Sequence, residues 1–144
     1  MPLGESLFLI HTAATLFMTG LIWFVQIVHY PLFAQISAER FAAYQQRNIR
    51  STTAVASGPM LVEAATGVLL LWQRPAGLAS WELGLGLVLL AAAWGSTWRL
   101  QVPRHRRLAA GFDARCHRQL VVTNWIRTVA WSGRAGIILW VLAS

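Results

Sequence analysis

The chain has 144 residues, of which 56% are hydrophobic and 12% charged. Soluble domains carry about a quarter charged residues and roughly 45–50% apolar ones, so composition excludes an ordinary soluble enzyme and points to a membrane protein. The twelve basic residues, all arginine, outnumber five acidic ones to give +7 formally, and they sit largely in short blocks beside apolar stretches, which suits membrane topology better than nucleic-acid binding.

A bilayer core takes about 20 apolar helical residues, because hydrocarbon offers no partner to free backbone groups. Four stretches meet this, spanning about 7–33, 53–72, 78–100 and 119–142. The expected fold is all-α: a single domain over 1–144, a polytopic four-transmembrane-helix bundle. The first span lacks a basic leader and a cleavage pattern, so it reads as retained. Ser37 reads as a helix N-cap, and Phe41, Tyr44 and Ile49 among polar neighbours predict a short amphipathic helix over 37–51, before the second span. Gln73-Arg74-Pro75-Ala76-Gly77 predicts a tight turn. Gly111 breaks the chain after the third span, and Asp113 is placed to cap an extension of the fourth that carries Cys116, His117 and Arg118. No repeat is evident, and one cysteine forbids an internal disulfide.

Arginine counting sets the orientation. Arg40, Arg47 and Arg50 lie between spans one and two; Arg99, Arg104, Arg106, Arg107, Arg115 and Arg118 lie between spans three and four; only Arg74 lies opposite. The positive-inside rule puts loops 34–52 and 101–118 in the cytoplasm and both termini outside, as expected for a bacterial inner membrane protein. Trp23, Trp72, Trp81, Trp98 and Trp140 sit near span ends as interfacial anchors, and Trp94, Trp125 and Trp131 lie deeper.

Polar residues inside the spans carry the functional signal. On span one Thr12, Thr15, Thr19, Gln26 and His29 with Tyr30 share a face; on span four so do His117, Asn124, Arg127, Trp131 and Arg134. Span two adds Glu63, span three Trp94, Thr97 and Gln101. At 1.5 Å per residue, Glu63 lies roughly 15 Å below the inner end of its span, Arg127 roughly 12 Å, Gln26 roughly 10 Å and Asn124 roughly 8 Å. A charge at the bilayer centre costs about 2.5–3.5 kcal/mol, so Glu63 and Arg127 should face the interior, and they are the expected ion pair. Asn124 and Gln26 also suit interhelical hydrogen bonding. His11 lies nearer the outer end of span one and should bond within the bundle, near Arg134.

No nucleotide-binding loop, Gly-x-Ser-x-Gly or His-Glu-x-x-His motif occurs. His29, His105 and His117 share a membrane face and offer imidazole ligands for a metal, or for haem between His29 and His117. The surrounding arginines disfavour a cation, so that is the lesser alternative, and no resident cofactor is expected.

Val28-His29-Tyr30-Pro31 closing span one, Arg50 to Glu63 opening span two, Gln101-Val102-Pro103 after span three and Asn124-Trp125-Ile126-Arg127 in span four together resemble a family. It is the bacterial four-helix membrane proteins of unknown function grouped with fungal anthrone oxygenases. The resemblance covers nearly the whole chain through short motifs. It implies a compact four-helix bundle and cofactor-independent insertion of oxygen into an anthrone. Pro31, Pro103, Asn124 and Arg127 match the pattern; many members carry asparagine where this chain has His105.

Such chemistry needs a base, a stabiliser for the enolate oxygen and a dry pocket. The expected catalytic residues are His29 as base, Arg127 and Asn124 as oxyanion stabilisers, and Glu63. The expected ligand-binding residues are Gln26, Trp94, Gln101, Trp125 and Trp131, the tryptophans stacking on a flat ligand. The reading is thus a cytoplasmic-side intramembrane cavity for a small lipophilic, quinone- or anthrone-like compound. An enzyme should show an apolar pocket of about 300 Å³ or more lined by His29, Glu63 and Arg127. The alternative is a scaffold embedded in the lipid bilayer whose arginine-rich loops dock a protein partner, with the Glu63/Arg127 pair purely structural. Nucleic acid is not an expected partner.

Overall fold

The structure is a computed structural model that describes residues 1–144, all-helical and without strands. Four helical rods form it: α1 (Leu3–Gln35), α2 (Ala38–Leu69), α3 (Ser80–Leu108) and α4 (Ala114–Ala143). By length and composition α1, α3 and α4 are apolar enough to cross a membrane. The first half of α2 carries Arg40, Gln45, Arg47, Asn48 and Arg50, and only its second half is apolar.

Two rods change pitch where a proline follows. In α1 the α-helix gives way to a π-helical stretch at Val25–His29, ahead of Pro31; in α3 the same occurs at Thr97–Gln101, ahead of Pro103. Proline has no N–H and its ring crowds the carbonyl four residues back. Widening the turn lets the preceding residue bond one carbonyl further along: Tyr30 N–H donates to Val25 O, and Val102 N–H to Thr97 O. Both helices therefore continue past the expected span ends. α3 runs to Leu108, and the second arginine-rich loop shrinks to residues 109–113, where Gly111 takes a φ of 153°.

The amphipathic segment and the second span are a single continuous helix of 32 residues rather than two elements. Ser37 occupies the N-cap position, but its side chain makes no capping bond. Asp113 does cap α4, accepting from Cys116 N–H at 2.9 Å and from Arg107 at 2.7 Å. At the opposite end α1 begins at Leu3, and Gly4 lies so close to the Gln73 carbonyl that a Cβ there would collide with it.

α1 and α4 form the centre of the bundle, with α2 packed on α1 and α3 packed on α4. α2 and α3 approach each other mainly through the last turns of α3. The apolar core is divided in two. One cluster, toward the arginine-rich end, gathers Met18, Ile22, Phe33, Phe41, Leu120 and Trp131; the other, toward the Leu70–Leu78 turn, gathers Phe8, Leu70, Leu78, Leu83 and Ile138. In sequence His11 and Thr15, Glu63 and Thr66, and Arg134 fall between the two clusters on α1, α2 and α4. Apolar contact gives little preference for helix association over lipid, so side-chain hydrogen bonds in this layer specify which faces meet.

Candidate functional site

Glu63 is fully buried, as expected, but its partner is Arg134 and not Arg127. Arg134 Nη2 lies 2.9 Å from Glu63 Oε1, and Arg134 Nε donates to the same oxygen at 3.0 Å. Thr15 donates to Oε1 at 2.7 Å and Trp131 Nε1 to Oε2 at 2.9 Å. Arg134 Nη1 reaches the Gly86 carbonyl, and Nη2 reaches His11 Nε2 at 3.0 Å. Since a guanidinium can only donate, His11 Nε2 must carry the lone pair. Its Nδ1–H then donates to Thr66 Oγ1 at 2.8 Å, and Thr66 donates to the Val62 carbonyl at 2.7 Å. Each carboxylate oxygen has a donor, so this layer is a complete interhelical lock. His11 lies beside Arg134, as the sequence suggested.

Arg127 points inward too, with only 9% of its surface exposed, yet no carboxylate meets it. Its Nη1 donates to Asn124 Oδ1 at 3.1 Å, and its guanidinium lies 5.3 Å from the centre of the Trp131 ring and beside the Tyr30 hydroxyl. Its Nε is buried without a partner. Asn124 in turn donates to Gln26 Oε1 at 2.9 Å, and Gln26 donates to the Val121 carbonyl at 3.2 Å. Trp131 separates the two arginine sites: its N–H serves Glu63 and its ring face serves Arg127. That ring is therefore already occupied, which removes Trp131 from the expected stacking set.

A chain of polar side chains leads from Tyr30 toward the arginine-rich end. His29 Nε2 bonds Asn48 Oδ1 at 2.7 Å, Asn48 Nδ2 donates to Gln45 Oε1 at 3.3 Å, and Gln45 Nε2 donates to His105 Nδ1 at 2.7 Å. With the amides oriented so, His105 Nδ1 is the acceptor and Nε2–H donates to Tyr30 Oη at 2.8 Å, leaving the Tyr30 O–H free to donate elsewhere. Gln45, Asn48 and Tyr30 were absent from the expected site. Gln45 and Asn48 are three apart on the face of α2 that also buries Phe41, a polar pair on a buried stripe. That pattern was present in the sequence, but an interfacial helix was expected to face lipid with its apolar side and water with these amides.

His29 is thus tied to Asn48, whereas Gln26 belongs with Asn124, and the two do not act together. Nor do His29, His105 and His117 gather as metal ligands, because each engages a different group: His29 the Asn48 amide, His105 the Gln45 amide and the Tyr30 hydroxyl, and His117 the Tyr30 carbonyl at 2.8 Å. The buried Phe33 ring lies 5.1 Å from His29 and 6.1 Å from His117, in the place a haem between them would need. Trp125 is 42% exposed and stacks edge-on against Trp23, so it faces outward rather than into the site. Trp23, Trp72, Trp81, Trp98 and Trp140 are exposed.

On the α3 side, Trp94 Nε1, Ser96 Oγ and Gln101 Oε1 are buried without partners. Gln101 Nε2 donates at 3.0 Å to Thr123, one helical turn before Arg127 on α4. The interface of α3 with α4 therefore holds several polar atoms with unused bonding capacity, Arg127 Nε among them, and such groups each call for an explanation. Neither of the two cavities below is the apolar pocket expected at His29, Glu63 and Arg127. One, of about 30 Å³, lies among Phe8, His11, Glu82, Gly86 and Arg134. The other is an open groove of about 480 Å³ on the surface beside Pro31 and His117. No protein-family model, curated protein or solved structure matches the chain.

Proposed function

We propose that the chain crosses a bacterial inner membrane four times, termini outside, and holds a small lipophilic compound in its inner half through an oxygen that carries or develops negative charge. The compound class is quinone- or anthrone-like. The observation that carries this reading is Arg127, a buried cation with no counter-anion and an unpartnered Nε–H. A buried charge is tolerated when it is paired, and an intramembrane arginine without a protein partner favours an oxygen supplied by a ligand. The Tyr30 O–H is a second free donor beside it, and Trp94 Nε1–H lies on the facing helix. Two donors fixed in a water-poor site are what an enolate or phenolate oxygen requires.

Turnover of an anthrone would convert its CH2 group and one O2 to a carbonyl and one water, without a cofactor. The first step removes a proton from that carbon. The base expected at His29 moves in this reading to His105, acting through Tyr30, whose hydroxyl then relays the proton and leaves Arg127 and Trp94 as the two donors to the oxygen. For His105 Nε2 to receive the tyrosine proton, the Gln45 and Asn48 amides must both turn, so that Gln45 Oε1 accepts from His105 Nδ1–H, Asn48 Oδ1 accepts from the Gln45 NH2 and His29 Nε2 accepts from the Asn48 NH2.

The test is ligand-dependent thermal stability of the purified protein, with anthrone and a short-chain quinone as probes. A ligand at 100 times its Kd stabilises by about 2.7 kcal/mol. Arg127→Gln should abolish that response while leaving the unliganded transition unchanged or raised, since it removes an unpaired buried charge. The reading is overturned if wild type neither responds nor carries a small molecule detectable by mass spectrometry, or if the variant responds as wild type does.

A further inference from the structure

The groove of about 480 Å³ beside α1 and α4 belongs to neither arginine site. Its walls are Pro31 and Ala34 from the end of α1, Phe112 and Ala114 from the loop and the start of α4, and Val121 and Val122 further along α4. His117 and Arg118 stand at one level of it. His117 is fixed there between the Phe33 and Phe112 rings, at 6.1 and 5.5 Å, with Nε2 donating to the Tyr30 carbonyl. Arg118 is exposed and makes no hydrogen bond or ion pair within the chain. Arg115, three residues earlier and also exposed, projects from the same side of α4. The nearby acid cannot neutralise them, because Asp113 is taken by Arg107 and by its capping bond. Along the helix the charge gives way to Val122, which is 62% exposed. Arg118 stands midway along the groove with Arg115 beside its loop half, and the half at Val121 and Val122 is apolar, in the order met on descending from headgroup to acyl chain.

We propose that this groove seats one anionic phospholipid, its phosphate on Arg118 and Arg115 and its first acyl segment along Val121 and Val122. The inference rests on the membrane placement proposed above, with the arginine-rich loops at the cytoplasmic surface. A zwitterionic lipid offers the same chains without the net charge, so charge complementarity selects the anionic kind. The groove is a concave seat between two helices, unlike the exposed helix-surface positions of Arg47 and Arg106, which share in general attraction to the leaflet.

Native mass spectrometry of the detergent-purified chain, titrated with phosphatidylglycerol and separately with phosphatidylcholine, tests it. Wild type should retain one phosphatidylglycerol and release phosphatidylcholine. Arg118→Gln should weaken that retention about fivefold, the effect of one arginine at an anionic surface, while Arg47→Gln leaves it within twofold. Ala34→Phe, at an exposed position, should fill the groove and displace the lipid with Arg118 intact. The proposal is overturned if both glutamine variants lose lipid equally, which marks diffuse attraction, or if Ala34→Phe retains it. It is overturned too if anthrone or quinone displaces the lipid, which makes the groove the entrance to the Arg127 site. None of these variants removes Arg127, so a failed groove and a failed Arg127 site give separate results.

Discussion

Replacing Glu63 by glutamine tests the assignment of the ionic layer. The carboxylate accepts from Thr15, Trp131 and both Nε and Nη2 of Arg134. An amide has one oxygen, so whichever way it turns, its NH2 group confronts a donor: the Trp131 N–H in one orientation, Arg134 and Thr15 in the other. Arg134 is meanwhile left as a fully buried cation. Breaking a buried pair from one side costs about 3–5 kcal/mol, because the remaining charge stays desolvated. At roughly 2–4 °C per kcal/mol for a chain of this size, the transition should fall by about 6–20 °C.

A double-mutant cycle gives the prediction its edge. Glu63→Gln with Arg134→Gln removes both charges and should recover about 2–3 kcal/mol relative to the sum of the single changes, within the range for residues in one network. Glu63→Gln with Arg127→Gln should instead be additive to about 0.5 kcal/mol. Intrinsic tryptophan fluorescence follows unfolding in detergent, with far-UV circular dichroism as a second probe of the same transition. Coupling of Glu63 to Arg127 with none to Arg134 would refute the geometry of the layer, and so would a fall below about 2 °C for Glu63→Gln.

Three further outcomes follow from neighbouring contacts. Trp131→Phe keeps a ring under Arg127 but loses the N–H to Glu63; a bond to a charged group contributes about 1.5–3 kcal/mol, so thermal melting should show a drop of roughly 3–12 °C. Gly67→Ala places a Cβ 3.2 Å from both His11 Cε1 and Leu87 Cδ2; overpacking of this kind costs about 1–3 kcal/mol, and the His11 imidazole signals in NMR should shift. The Asp113 carboxyl is held below its ordinary value of 3.8 by the Cys116 backbone N–H first and by Arg107. A depressed folded value gives stability that is present above the unfolded pKa and lost as pH falls through the folded one. Acid titration of the melting temperature should therefore show a decline below about pH 4 that is shallower in Asp113→Asn.

The polar stripes on α1 and α4 were legible because a period of 3.6 puts Thr15 with Gln26 and Asn124 with Arg134 on single faces, and insertion cost turns those faces inward. The same logic buried Glu63. It did not choose between Arg127 and Arg134, which lie seven residues apart on one stripe and differ only in depth. Depth is reckoned from the ends of the apolar stretches, whereas the helices run on: α2 is unbroken from Ala38, and π-turns before Pro31 and Pro103 carry α1 to Gln35 and α3 to Leu108. A better signal was available in His11, Thr15 and Thr66. Three polar residues on two helices, on the side away from the arginine blocks, have no reason to be buried there unless a charge from a third helix meets them, and Arg134 is the arginine at that level. With Arg134 committed to Glu63, Arg127 is left over, and Trp131 keeps the two apart by giving its N–H to one and its face to the other. The unpaired cation is thus a consequence of how the ionic layer is completed.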